Sequence, residues 1–440
     1  MILGFEPRKG RWENVVFKYI FNYILRCSWY TGCSTTNIEC MSIRVTIVSH
    51  AYVYEPYRKK IEELAKFEDL EVSLITPEHG VEGGNQQVIA EKHPGSDYDH
   101  RILPGVFTGR LNTFVFRDLK RTLRELNPDV ILLEEEYWTN VSYQITRLVK
   151  TDFPKTKIAL ISQENINHIW EEEGSTWYQK LRFSVFHWME QRILSRVDGL
   201  SFQFDSVWAE FQARIEQLGF RGLKWTVPQL GVDLETFKWY DADLLSELSS
   251  ELEITPDTVV FGNIGRIIPE KGLEDALRAF AQVKNTHTKM LLVGNGSEEY
   301  VTTLQDLASS LGIQDRVIFR GAVPFDQIPT YFRVLDVFFL LSHTTPEWKE
   351  QFGRVLVETM AAKRALIGSD SGAIPGVIGE AGIIVPEKDV AAIADAMNKL
   401  ADDPQLRQEY GEKGYQRAHN EFTYAAIASK TREFIQTLCT

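Results

Sequence analysis

Residues 344–363 read TTPEWKEQFGRVLVETMAAK, and directly before them runs Val337-Phe338-Phe339-Leu340-Leu341. The apolar run is long enough for a buried strand and too short for a helix. After it come a polar loop with Pro346, then Phe352-Gly353, then an apolar-periodic segment that reads as a helix. A loop leading from the C-terminal end of a buried strand into a helix is where open α/β sheets bind ligands. The helix start near Gly353 offers unpaired N–H groups and a positive dipole end, which suit phosphate. Gly353 has no Cβ, so the backbone there can approach a ligand closely. Glu350 lies in the loop and Glu358 within the helix, and both are placed to accept hydrogen bonds from sugar hydroxyls on either side of a diphosphate.

Working outward, strand-like and helix-like segments alternate from Met41. Ile43–Ser49, Leu70–Thr76, Val130–Leu133, Ile158–Ser162 and Gly199–Gln203 read as strands. Helices are expected over Tyr57–Ala65, Asp118–Leu126 and Trp177–Val197. The alternation restarts with Val259–Ile264, Met290–Val293 and Val317–Phe319, and continues past Glu358 to helices from Val390, Gln405 and Tyr424. Such alternation implies parallel sheets with right-handed crossovers. The acidic, Ser-rich Leu244–Thr255 reads as a linker.

At 440 residues the chain has room for two domains, and 44% hydrophobic with 25% charged residues is a globular composition. A net charge of −13 argues against a general nucleic-acid-binding surface. No run of 18 apolar residues occurs, so no membrane span is expected. The four cysteines, Cys27, Cys33, Cys40 and Cys439, fit no zinc spacing, and a reducing cytoplasm is the simplest setting. Residues 1–40 do not resemble the rest. They read as an extension upstream of a natural start at Met41, or as an amphipathic arm carrying Trp12, Phe17 and Trp29 that leans on a membrane.

Glu350 and Glu358, with seven residues between them and Phe352-Gly353 after the first, resemble the E-x7-E signature of the retaining GT-B glycosyltransferases, the large nucleotide-sugar-dependent group typified by glycosyltransferase family 4. Upstream matches support the resemblance. Gly265-Arg266 with Lys271-Gly272 is similar to the family's phosphate loop. The run Trp225 to Asp233 with Phe237 is similar to the segment closing its first domain, with Gln229-Leu230 in place of the usual Asn. Arg320-Gly321 resembles the position whose backbone meets the nucleobase, and Gly372-Ala373-Ile374-Pro375 its G-G-x-P turn. Gly294-Asn295-Gly296 lacks the third glycine of a dinucleotide fingerprint, since position 299 is Glu, and reads as a structural turn.

The resemblance implies a GT-B fold, an α/β architecture of two Rossmann-like doubly wound parallel-sheet domains facing across a cleft. The expected division is 41–240 (acceptor side), a 241–257 linker, 258–420 (nucleotide sugar) and 421–440 crossing back. It implies transfer of a hexose-type sugar from a nucleotide-diphosphate sugar to a hydroxyl of a glycan, lipid-linked glycan or small molecule, with retention and with no metal. A leaving phosphate oxygen takes the acceptor's proton in the mechanism favoured for that family. Glu350 would position the donor sugar and Glu358 bind ribose. Arg266 and Lys271 would stabilise the leaving diphosphate, with Arg320, Phe352, Gly353 and Arg354 completing the donor site. A nucleotide-sugar epimerase or hydrolase and a non-catalytic sugar-nucleotide scaffold are the alternatives.

The first domain departs from the pattern. The usual Gly-Gly after the first strand is replaced by Ser49-His50-Ala51-Tyr52-Val53-Tyr54-Glu55, and no His follows the strand ending Ser162-Gln163-Glu164-Asn165. His50, Tyr52, Glu55, Glu164 and Asn165 are therefore acceptor-side candidates. Glu134, Glu135 and Glu136 read equally as acceptor ligands or a solvated rim. The basic, aromatic helix from Trp177 reads as a packed helix with a charged face, peripheral contact at the inner membrane face being the alternative.

Overall fold

The computed structural model describes residues 42–82, 86–93, 95–106, 113–164, 176–346 and 348–440. The arm read in residues 1–40 and the candidate Asn165 lie outside them. A first sheet is built from β1 (Ile43–Val48), β2 (Leu70–Pro77), β3 (Asp99–Leu103), β4 (Val130–Leu133), β5 (Lys157–Ile161), β6 (Gly199–Phe202) and β7 (Leu223–Thr226), in the order β7-β6-β5-β4-β1-β2-β3 and parallel throughout. The second sheet, also all parallel, holds β8 (Val259–Ile264), β9 (Thr288–Val293), β10 (Val317–Arg320), β11 (Val337–Leu340), β12 (Ala365–Ser369) and β13 (Ile383–Val385), in the order β10-β9-β8-β11-β12-β13. Central strands of both sheets are buried along their whole length, as near-continuous apolar runs require when helices cover both faces. The edge strand β3, Asp-His-Arg-Ile-Leu, is partly exposed and lacks such a run, which is why its sequence does not announce it.

Among the helices, α1 (Lys59–Ala65), α2 (Trp177–Leu194), α3 (Ala242–Glu251), α4 (Ile328–Val334), α5 (Arg354–Ala361) and α6 (Tyr424–Cys439) bear on the site. The segment read as a linker contains α3. Asp241 caps it by accepting from the N–H groups of Asp243 and Leu244. Leu248 and Leu252 are buried and the helix packs on α4. Leu244, Leu248 and Leu252 recur at helical spacing, a period that the Ser and Glu content obscures.

Helix α6 lies against α1 and β5 of the first domain. Arg432 Nε is 2.8 Å from an Asp69 carboxylate oxygen, and the Phe434 ring stacks on Trp225 with centroids 5.7 Å apart. The two domains also share an apolar seam. Phe204, just past β6, stacks on Phe352 (5.9 Å, 19°), and Phe422 closes edge-on against Phe352 (5.9 Å, 81°). No helix among the described residues is long and apolar enough to cross a membrane.

Candidate active site

The organising strand β11 delivers its loop to the C-terminal edge of the second sheet. The loop after β8 meets it there. Gly272, in the left-handed region at φ 65, abuts this strand end so closely that a Cβ would lie 2.0 Å from the Leu341 carbonyl oxygen. This contact carries Lys271 to Glu350: Nζ lies 2.5 Å from Oε2, with both side chains about nine-tenths buried. Ser342 donates its hydroxyl to the same Oε2 at 3.0 Å, and the Lys271 ammonium sits 5.0 Å from the Trp348 ring centroid. Ser342 and Trp348 were not singled out in the sequence. The signal was a polar residue at the tip of a buried strand and an aromatic in a ligand-type loop.

The turn at Gly372 fixes Glu350 from below. Ala373 N–H donates to the Glu350 carbonyl at 3.0 Å, and a Cβ on Gly372 (φ 54) would lie 2.2 Å from that oxygen. Arg266 is exposed and has no hydrogen-bond or ion-pair partner among the described residues. Gly294 serves close packing: a Cβ there would lie 1.7 Å from the Gly265 carbonyl oxygen.

Gly353 (φ 72) precedes α5, the expected helix start, and Phe352 is buried in the interdomain seam. Arg354 Nε is 3.0 Å from Glu358 Oε1. Burial raises the Glu358 pKa and the Arg354 guanidinium opposes the rise. Arg354 and Glu358 line a cleft of about 320 Å³ between the domains, facing Tyr54, Tyr57 and Lys59 of the first domain and Tyr424 of α6. Lys59 reaches Asp233 at 3.3 Å beside it. The Arg320 side chain turns instead to Glu251 (2.7 Å) and the Tyr331 hydroxyl (3.2 Å), and its carbonyl accepts from Gly294 N–H.

On the first domain the corresponding sheet edge carries carboxylates. Glu134 pairs with the buried Lys60 and accepts from the Tyr52 hydroxyl at 2.5 Å. Burial first, then Glu134, holds the Tyr52 pKa well above its ordinary value. Glu135 accepts from the His50 backbone N–H at 2.7 Å and lies 2.8 Å from His50 Nδ1. Glu136 is held by the Ser162 hydroxyl and by Gln163 N–H (2.9 Å). Burial and the neighbouring Glu164 push its pKa up to about 8. Glu164 is buried and accepts from Trp138 Nε1 at 3.2 Å.

The solvated-rim reading of Glu134–Glu136 therefore gives way to a hydrogen-bonded one, with Glu135 buried and Glu134 and Glu136 half-buried, as carboxylates taken out of water require. The N–H groups of the β1 loop are also engaged internally, Val53 to the His50 carbonyl and Tyr54 to that of Ala51. Glu55 stands apart at the surface, 3.4 Å from His93. Among the described residues no group of three His, Cys, Asp or Glu side chains is arranged for a metal.

Residues 246–417 match the family model of glycosyl transferases group 1. The N-acetyl-alpha-D-glucosaminyl L-malate synthase of Bacillus anthracis is 33% identical over 189 residues, 42% of this chain and 47% of that protein. The chain thus spans about half the length of the curated relatives it matches. Among solved structures, a sucrose-phosphate synthase of Thermosynechococcus elongatus superposes with a TM-score of 0.63 at 20% identity, covering 90% of this chain and 99% of that one. Anabaena Alr3699/HepE, in complex with UDP, gives 0.62 at 18% identity, covering 90% and 100%. The fold is GT-B, and the part of its second domain that carries Lys271, Glu350 and Glu358 lies within the match to the glycosyl transferases group 1 model.

Proposed function

We propose that the chain transfers a hexose-type sugar from a nucleotide-diphosphate sugar to an acceptor hydroxyl, with retention of anomeric configuration and without a metal ion. The carrying observation is the convergence at the C-terminal edge of the second sheet. There Lys271 and Glu350 form an almost buried pair beside the glycine that starts α5. Helix N–H groups and cations suit a diphosphate, and a carboxylate suits the hydroxyls of the attached sugar. The neighbour Alr3699/HepE was solved with UDP and with UDP-glucose, which supports a donor of this class.

In this reading the acceptor oxygen bonds to the anomeric carbon while the bond to the nucleotide diphosphate breaks. The departing diphosphate takes the electron pair. Arg266 and Lys271 meet the developing negative charge in a water-poor cleft, where such stabilisation is strongest. Glu350 orients the sugar and Glu358 the ribose. Closure of the cleft limits hydrolysis of the donor.

The test is thermal stabilisation of the full chain by UDP, GDP, UDP-glucose and GDP-mannose in the presence of chelator. A ligand at 100 times its Kd stabilises by about 2.7 kcal/mol, which is readily seen as a shift in Tm. A shift with one nucleotide series, lost in Arg266→Ala, is the expected outcome. No shift with any of the four would overturn the reading.

A further inference from the structure

Helix α2 is apolar on two opposite sides. On one side Met189, Ile193 and Leu194 are buried in the first domain's core, and Phe186 meets Trp138 edge-on with centroids 6.1 Å apart. At about 100° per residue, Trp177, Leu181, Val185 and Trp188 share the other side. They are 78%, 57%, 48% and 44% exposed, Trp188 even though its ring also touches that of Tyr143. Four of the nine exposed large hydrophobic side chains among the described residues thus fall in a single stripe. Single exposed apolar side chains need no explanation, but a contiguous stripe marks a contact surface.

Charge selects the occupant. Lys180 and Arg182 flank the stripe and Arg192 continues it, one turn beyond Trp188. All three are exposed and form no ion pair among the described residues. The Arg192 guanidinium lies 5.8 Å from the Trp188 ring centroid. The helix's acid, Glu190, is buried and paired with Arg214 at 2.8 Å. Glu171, Glu172 and Glu173 precede the helix in sequence and lie outside the described residues. On a chain of net charge −13, the exposed side of α2 is therefore cationic as well as apolar.

A second copy of the chain fits this face poorly. Isologous pairing would set the three cations against their own copies, and four side chains fall far short of the roughly 20–30 residues that each side of a stable interface supplies. An anionic lipid surface suits both components, since it takes Trp, Leu and Val side chains into the acyl boundary and cations at its phosphates.

The position of the stripe agrees. Helix α2 follows β5 and leads back to the start of β6, so its first turns lie at the C-terminal edge of the first sheet. Trp138, which packs on Phe186, donates Nε1 to Glu164 on that edge at 3.2 Å. The exposed stripe is thus joined to the acceptor-side edge through one indole.

We infer that α2 docks the chain on an anionic bilayer. Trp177, Leu181, Val185 and Trp188 enter the headgroup boundary, and Lys180, Arg182 and Arg192 meet lipid phosphates. The helix lies in the plane of the interface, as befits one too polar to cross it.

The test is co-sedimentation of the full chain with vesicles, without nucleotide, so that a failure of the transferase reading leaves it untouched. The expected result is binding to equimolar phosphatidylcholine–phosphatidylglycerol vesicles at least tenfold tighter than to phosphatidylcholine alone, and weakened by salt. Leu181→Asp with Val185→Asp should lower binding at least tenfold. Lys180→Gln and Arg182→Gln should each lower it about fivefold. Urea midpoints equal to wild type show that these surface variants keep the fold. Absence of binding to mixed vesicles would overturn the proposal. So would binding that survives all of these substitutions, which would place the contact elsewhere, residues 1–40 included. A dimer in solution that Leu181→Asp dissociates would assign the face to a second copy and likewise overturn it.

Discussion

Replacing Glu350 by Gln should tighten nucleotide binding while slowing turnover. Lys271 is already paired in the structure: Nζ lies 2.5 Å from Glu350 Oε2 with the side chains 12% and 11% exposed. A diphosphate that recruits Lys271 must therefore draw it away from a carboxylate. A hydrogen bond between charged groups contributes roughly 1.5–3 kcal/mol and a neutral one about 0.5–1.5. Gln keeps the shape and the acceptor oxygen but not the charge, so about 1–1.5 kcal/mol of competition disappears. That corresponds to roughly tenfold tighter binding. Ser342, 3.0 Å from Oε2, remains as a donor to hold the new amide in place. Turnover moves the other way, since the sugar loses its charged hydroxyl acceptor. Calorimetric titration of UDP and GDP into wild type, Glu350→Gln and Lys271→Met reads the first effect directly. Lys271→Met should weaken binding in the same experiment. If Glu350→Gln binds diphosphate no better than wild type, Lys271 does not serve the phosphate, and the pair is a structural tie across the loop.

Gly372→Ala places a methyl 2.2 Å from the Glu350 carbonyl oxygen at φ 54, so a loss of about 2–4 kcal/mol is expected, together with reduced turnover. Urea unfolding and initial rates on the same sample check both. Phe352→Ala empties the seam between Phe204 and Phe422 and should cost about 3 kcal/mol or more in a denaturant titration. Asp69→Asn tests the crossing of α6. Burial opposes ionisation of Asp69, but the bonds from Arg432 and Gln436 prevail and hold its pKa below the ordinary 3.8. A depressed carboxylate adds stability that is present above the unfolded pKa and lost as pH falls through the folded one. The wild type should thus exceed Asp69→Asn in urea midpoint at pH 6, with the difference narrowing below about pH 4. A gap independent of pH would mean that the carboxylate charge plays no part.

The second domain was legible because parallel strands covered on both faces write themselves as apolar runs, and binding loops hang from the ends of those runs. Val337–Leu341, Gly353 and Glu358 could be placed on that logic alone. Partnership was not legible. Lys271 and Glu350 are 79 positions apart, and only the adjacency of β8 and β11 brings their loops together. Likewise His50 and Glu135 are 85 apart, and Glu134 finds Lys60 and Tyr52 only because β4 lies beside β1. A run of three glutamates at a strand end reads in sequence equally as acceptor ligands or as a solvated rim. In the fold each finds a separate donor, and the alternation of side-chain direction past β4 is what separates them.

These pairings give the cleft a polarity that neither domain shows by itself. The second domain presents Lys271 paired with Glu350 and Arg354 paired with Glu358, with Arg266 exposed in the loop after β8, while the first presents Glu134, Glu135, Glu136 and Glu164 along its sheet edge. A diphosphate is attracted to one wall and repelled by the other. A neutral hydroxyl is tolerated on the acidic wall. Charge therefore favours the donor phosphate at the second domain over the first, once Lys271 has been drawn from Glu350. Binding energy is then left for discrimination among hydroxyls, and the side chains that do this belong to the first domain, where the sequence departs furthest from the family pattern.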